Sequence, residues 1–380
     1  MPIFGQVIIG PPGSGKSTYC YGLQQFFNSI GRHSIIINLD LANDKLKYDC
    51  ALDLRDFITL EEIMSENSLG PNGGLIKAFE TLTGVSDSGA DKSDDGEEDN
   101  LFDVLLNEIT NIVDKSNAYV IFDTPGQSEL FTSNFSLPNL FKELGKRSDL
   151  RLCCVNLMDS IYLTSPSSYI SILLTALRSM LLLNMPHVNV ISKVDLLANY
   201  DKLPFNLKYY LEVDNLEELI PLLEKEMSYS KNKLGTKNLL KITESIIDLV
   251  DDYKMVDFEV LCVEDTRSMI NLVRRIDKAN GYAFGENEIS GDSTWIEASR
   301  LTGTSANGLS DVWGEEIDIQ ERWIDYKDEY DAQVKSEQDK AMEMIKKRES
   351  ELQKGHDAAD AEDEYERDLA NWKKDHPFQK

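Results

Sequence analysis

Gly10-Pro11-Pro12-Gly13-Ser14-Gly15-Lys16-Ser17 decides how this chain folds. It follows an apolar run, Phe4 to Ile9, that reads as a strand, and it leads into a helical pattern over Lys16–Ser29. G-x-x-x-x-G-K-S between a strand and a helix reads as a phosphate-binding loop. Backbone N–H groups of Gly13, Ser14, Gly15, Lys16 and Ser17 line an anion site, reinforced by the positive end of the helix, with Thr18 just inside it. Lys16 is placed to reach the β/γ-phosphates, and the Ser17 hydroxyl to ligate Mg²⁺. The plainer reading is a glycine-rich turn in an unrelated α/β protein, and the strand–helix context weighs against it.

Outward from this loop, short β-rich runs alternate with helical patterns. Strands are predicted at Phe4–Ile9, Ser34–Asn38, Ala118–Phe122, Leu152–Leu157, Val188–Ile191 and Val256–Val263. Helices are predicted at Lys16–Ser29, Leu60–Ser68, Gly73–Leu82, Phe102–Lys115, Ser167–Leu183, Leu239–Asp251 and Ser268–Asn280. Thr59-Leu60-Glu61-Glu62 matches a capping box. Near-continuous Val, Ile, Leu and Phe in the strands suits parallel strands buried on both faces. The expected fold is α/β, a doubly wound, mostly parallel sheet of the P-loop kind with its ligand at the strands' carboxyl ends. Residues 1–285 form the main domain, with an acidic loop near 86–100 and a helical insertion near 201–250. A 286–330 extension and an acidic helical or disordered tail, 331–380, follow.

The 380 residues carry a formal charge of −28, which argues against nucleic acid or an anionic membrane as a partner. That charge concentrates in Ser86–Asp99 and beyond about Asp325, either as a solubilising surface or as an electrostatic lure for a basic client. No run approaches the roughly 20 apolar residues of a membrane span. Five scattered cysteines and four dispersed histidines predict buried thiols and no His/Cys metal site. The start runs straight into strand-like sequence, so a cytoplasmic location is expected.

Three further motifs carry chemistry. Ile121-Phe122-Asp123-Thr124-Pro125-Gly126-Gln127 ends the third strand. Asp123 suits a magnesium ligand, the Gly126 amide a γ-phosphate contact, and Gln127 the orientation of an attacking water. Taken alone, D-x-P-G is a common turn. Ser192-Lys193-Val194-Asp195 follows another apolar strand. Asp195 can accept from the guanine N1–H and amine while the Lys193 stem covers the base; adenine would leave that carboxylate unpaired. Cys262, ending the last strand, offers a backbone contact to the guanine carbonyl. Leu69-Gly70-Pro71-Asn72-Gly73-Gly74 reads structurally as the end of one helix and the turn into the next.

Taken together, the phosphate loop, Asn38-Leu39-Asp40, Gly70-Pro71-Asn72, Asp123–Gln127 and Ser192–Asp195 resemble the GPN-loop GTPases, a dimeric P-loop family. Asp53–Thr59, Asp277–Tyr282, Asp292–Trp295 and Asp318–Trp323 are similar to its second eukaryotic branch in fungal form. The resemblance spans about residues 3–330. It implies that Gly70, Pro71 and Asn72 project across a twofold interface toward the partner's phosphates. It also implies that Asp40, Asp123, Gln127 and Glu129 surround Mg²⁺ and the hydrolytic water, with GTP as substrate. Partners implied are GPN-loop paralogues, in a heterodimer or homodimer, and RNA polymerase II and III subunits or assembly factors. The implied role is polymerase assembly and nuclear import, with shuttling from the cytoplasm. One departure stands out: where the family has proline after the aspartate, this chain has Leu41, which leaves the positioning of Asp40 open. The alternative is a scaffold in which GTP only stabilises a heterodimer. Apolar residues within Ile170–Leu183 read as core first and client surface second.

Overall fold

The strand that feeds the glycine-rich loop, β1 (Ile3–Ile9), lies centrally in a sheet of seven parallel strands ordered β3-β2-β4-β1-β5-β6-β7. The others are β2 (Ser34–Asn38), β3 (Leu52–Asp53), β4 (Tyr119–Asp123), β5 (Leu150–Asp159), β6 (His187–Ser192) and β7 (Phe258–Leu261). The computed structural model describes residues 2–43, 46–83, 101–116, 118–132, 134–200, 202–213, 215–228, 236–282, 319–333 and 335. The acidic loop, most of the 286–330 extension and nearly all of the tail lie outside the described residues.

Helices α1 (Lys16–Ser29), α2 (Leu60–Asn67), α3 (Pro71–Thr83), α4 (Leu101–Ser116), α5 (Glu129–Thr132) and α6 (Ser136–Arg147) accompany the first half. The second half holds α7 (Pro166–Leu183), α8 (Leu207–Glu212), α9 (Ile220–Ser228), α10 (Thr236–Tyr253) and α11 (Thr266–Asn280). All five residues of β4 are buried, as are six of the seven in β1, so both sheet faces are covered. One apolar cluster joins Val7, Ile37 and Phe122 to Phe79, Leu105 and Leu140 of the helices. A second gathers α7, α8 and α10 around Tyr169, Tyr210, Ile247 and Trp323. Among the described residues, those up to 282 together with 319–325 belong to one compact unit, and 326–333 with 335 to another.

The structure revises several local expectations. Helix α6 is new; Pro138 sits in its first turn, where a missing N–H costs nothing. Thr59 caps α2 with its extended backbone, yet its side chain makes no capping bond, so the capping box is not formed. Pro71 and Asn72 do not turn between helices: they are the first residues of α3, and Ser68 in the left-handed region ends α2. By length and composition α7 is apolar enough to cross a membrane, contrary to the sequence reading. In the fold it packs Tyr169, Ile172, Leu173 and Leu177 into the core.

Candidate nucleotide-binding and hydrolysis site

The carboxyl ends of β1, β2, β4, β5 and β6 converge on one edge of the sheet, and every motif except the Gly-Pro-Asn stretch and Cys262 issues from one of them. Gly10 and Gly15 hold φ of +146° and +94°. At Gly10 a Cβ would sit 2.2 Å from the Leu157 carbonyl, so only glycine fits. Gly15 is the N-cap of α1, which therefore has no side-chain cap and no acidic residue in its first turn. Its first N–H groups are left for an anion. Lys16 is buried beneath the loop, donating to the Gly10 and Pro11 carbonyls at 3.0 and 3.2 Å. Burial pulls its pKa down, opposed by the charges of Asp123 and Asp40. Thr18 is exposed on the first turn.

Asp123 ends β4 fully buried. Its Oδ2 accepts from the Tyr48 hydroxyl at 2.7 Å, whereas Oδ1 has no partner. Burial raises its pKa, and the nearby Tyr48 and Ser17 hydroxyls work the other way. The next residue, Thr124, donates to the Ile8 carbonyl at 2.6 Å and pins the turn against β1. Gly126 then lies so close that a Cβ would meet Lys16 Nζ at 2.8 Å and Pro12 Cα at 3.0 Å. The two loops are in contact because glycine allows it.

Asp40 lies just past β2. Its own N–H donates to Asn38 Oδ1 at 3.1 Å, and its Oδ1 accepts from the Ala42 N–H at 2.9 Å. Burial raises its pKa, offset by the Ala42 N–H, Lys16 and Arg55. Leu41 is 5% exposed and inserted in the first apolar cluster. Here a buried side chain anchors the segment where the family's proline would stiffen it. Arg55 completes the brace by pairing with Asp53 and donating to the Asn43 carbonyl at 2.7 Å.

Gln127 donates to Asn72 Oδ1 at 3.0 Å, and its own Oε1 is buried without a partner. Gly70, Pro71 and Asn72 are exposed. Glu129 is also exposed, beginning α5 and accepting from Ser128 Oγ at 3.3 Å.

At the far side, Ser192 Oγ bonds the Ser14 and Met158 carbonyls at 2.7 and 3.0 Å. Lys193, at φ +58°, reaches the Gly13 carbonyl and Asp159 Oδ2, both at 2.6 Å. Its stem therefore runs alongside the phosphate loop. Asp195 opens the 3₁₀ turn Val194–Asn199. It helps push the Cys262 thiol up to about 11, although burial is the larger cause, so the two residues lie close together. The Cys262 N–H donates to Ser268 Oγ at 3.1 Å, and its carbonyl accepts from Ser268 Oγ at 2.7 Å. These bonds tie the end of β7 to the first turn of α11, whose N-cap is Asp265.

Tyr48, Asn38, Arg55 and Asp159 escaped the motif reading as working side chains. Their neighbourhoods show no periodicity or spacing that marks a site; only the converging fold brings them to it.

A phosphate loop on the central strand, a buried carboxylate ending the neighbouring strand and Ser-Lys-x-Asp beyond β6 define a P-loop nucleotide-binding protein. A family model described as "Conserved hypothetical ATP binding protein" matches residues 8–282. The chain is 52% identical over 369 residues to GPN-loop GTPase 2 of Saccharomyces cerevisiae, covering 97% of this chain and 96% of that one. With GPN-loop GTPase 2 of Schizosaccharomyces pombe it shares 44% over 86% of this chain and 93% of the other. With GPN-loop GTPase QQT1 of Arabidopsis thaliana it shares 40% over 79% and 91%. The apo crystal structure of the GTPase PAB0955 from Pyrococcus abyssi has the same fold, with a TM-score of 0.53 at 22% identity, over 73% of this chain and 97% of that one. The chain belongs to the GPN-loop GTPase family.

Proposed function

We propose that this chain binds GTP with Mg²⁺, hydrolyses it slowly, and works as half of a dimeric assembly switch. The observation that carries the chemistry is a set of three buried oxygens without partners: Ser14 Oγ, Asp123 Oδ1 and Gln127 Oε1. Buried polar atoms are normally satisfied, so three on the phosphate loop, the end of β4 and the turn after it point to groups supplied by a ligand. The Asp123 carboxylate and Ser17 hydroxyl are hard oxygen donors that suit Mg²⁺. When bound, that ion neutralises charge on the β- and γ-phosphates. With its Nε2 donating to Asn72, Gln127 has Oε1 left to accept a hydrogen bond from the attacking water and orient it. Asp40 supplies a second buried acceptor beside Lys16.

Lys193 and Asp195 favour guanine, and this reading sets GTP ahead of the ATP named in the family model's description. A competition experiment tests it: GTP should displace a bound fluorescent guanine nucleotide at least about 10²-fold better than ATP. Equal displacement would count against GTP. Single-turnover hydrolysis tests the enzyme reading. If wild type and Gln127→Leu retain GTP equally long, the protein is a scaffold and not a hydrolase.

The biological role rests on resemblance. Nucleotide at a subunit interface sets the relative pose of two protomers, and a client surface present in one pose alone can be loaded and released. GPN-loop paralogues are the partners, RNA polymerase II and III subunits the clients, and delivery from cytoplasm to nucleus the outcome. Recovery of polymerase subunits with Gln127→Leu and with wild type, in GTP and in GDP, tests this. Recovery that does not depend on nucleotide would overturn it.

A further inference from the structure

Tyr48 lies on the connection between β2 and β3, eight residues after Asp40 and 6% exposed. Its hydroxyl donates to Asp123 Oδ2 at 2.7 Å and lies 3.5 Å from Asn38 Oδ1. Asp123 Oδ1 is buried without a partner, on a carboxylate whose charge Ser17 also stabilises. A carboxylate with one oxygen engaged by a strong donor keeps its other oxygen at a set angle. Here that oxygen is the buried one without a partner. Among the groups near Asp123, the Cys20 thiol is a much weaker donor than the Tyr48 hydroxyl. The same hydroxyl links the connection carrying Asp40 to the end of β4. Asn38 and Arg55 hold that connection from the other side: Asn38 Nδ2 bonds Asp53 Oδ1 at 3.0 Å, and Arg55 grips Asp53 and the Asn43 carbonyl.

We propose that Tyr48 is a positioning residue for the magnesium–phosphate site, holding Asp123 so that its unpartnered Oδ1 stays presented to that site. The inference rests on the functional reading above. Groups that orient a metal-binding side chain are worth about 10–100-fold in metal affinity. Tyr48→Phe keeps the ring and its packing and deletes only the donor.

The test follows dissociation of a fluorescent GDP analogue from the full chain across a magnesium titration. Tyr169→Phe serves as control, because it deletes another buried hydroxyl bond, to the Tyr210 carbonyl at 2.8 Å, in the second apolar cluster. Unfolding temperatures are measured alongside without magnesium. The expected result is a half-saturating magnesium concentration about tenfold higher in Tyr48→Phe, with wild-type retention restored at excess magnesium and no change in Tyr169→Phe. A Tyr48→Phe protein that tracks wild type at every magnesium concentration overturns the proposal. So does one that loses nucleotide equally at all concentrations, because that marks general damage. A wild-type protein whose nucleotide retention ignores magnesium overturns the functional reading itself, and the proposal with it.

Discussion

Gln127 and Asn72 stand 55 residues apart in the chain, and the side-chain amide of the first donates to the Oδ1 of the second at 3.0 Å. The contact joins the turn after β4 to the first turn of α3, so the exposed Gly70-Pro71-Asn72 stretch touches the Gln127 amide of the same chain. An amide held at its nitrogen presents its oxygen in one direction. Asn72→Ala is therefore expected to lower the hydrolysis rate by about tenfold or more while changing GTP affinity little. A mixed dimer of Asn72→Ala and Gln127→Leu subunits separates action within a subunit from action across the interface. Action within the subunit predicts no recovery of hydrolysis on mixing; recovery to about half of wild type would show that Asn72 works on the partner.

The contact between Gly126 and Lys16 predicts a second effect. Gly126→Ala places a methyl 2.8 Å from Lys16 Nζ and 3.0 Å from Pro12 Cα. Lysine can shift, but only away from the carbonyls that seat it, and Pro12 is backbone. GTP affinity should fall by about tenfold or more, the size of a lost charge-assisted hydrogen bond. Equilibrium binding checks this, and an unaltered Kd would mean that the loops separate freely.

In the proposed function, base choice hangs on the Asp195 carboxylate. Asp195→Asn exchanges an acceptor for a donor, which suits the carbonyl at position 2 of xanthine instead of the amine of guanine. Preference should swing from GTP toward XTP by about 10² or more, as expected when a site's hydrogen-bonding partner is inverted. Competition between the two nucleotides reads the outcome directly.

His187 begins β6, and burial lowers its pKa from 6.5 to about 4. The unfolded chain thus binds this proton at a higher pH than the folded one. Its contribution to stability is complete above pH 6.5 and is lost as the pH falls toward 4. The partly exposed ring moderates the effect to on the order of 2 kcal/mol. Urea midpoints across this window should fall less steeply for His187→Gln than for wild type.

Far from the phosphates, Arg32 pairs with Asp277 through two bonds of 2.9 and 3.1 Å. Its guanidinium also lies 4.7, 4.2 and 4.1 Å from the ring centres of Phe27, Tyr119 and Tyr282. Asp277→Ala leaves that cation buried without its anion and should cost about 3–5 kcal/mol. Denaturant unfolding measures the loss. Nucleotide affinity at a temperature where the variant is folded should stay within about twofold, since the contact lies within the fold and not at the site.

Much of the fold was legible because its signals are local. Apolar runs of the right length marked six of the seven strands, and 3.6-residue periodicity marked α1 over its full span. The two-residue β3 is too short to carry a pattern, and α6, with Pro138 in its first turn, was not among the predicted helices. Asn72 illustrates a subtler gap: Gly-Pro-Asn-Gly is turn-like in composition, yet proline at the first helical position begins α3.

The phosphate loop itself needed nothing beyond the sequence, because its chemistry is backbone chemistry. Glycines at Gly10, Gly13 and Gly15 permit left-handed angles and the helix end supplies the N–H groups, all within eight residues. The tertiary structure decided which side chains serve that loop. Tyr48 meets Asp123 across 75 residues and Lys193 meets Gly13 across 180, and such pairs have no period or spacing to betray them. Leu41 shows the same division: its place in the sequence left the hold on Asp40 open, and only the fold shows its side chain buried in the first apolar cluster.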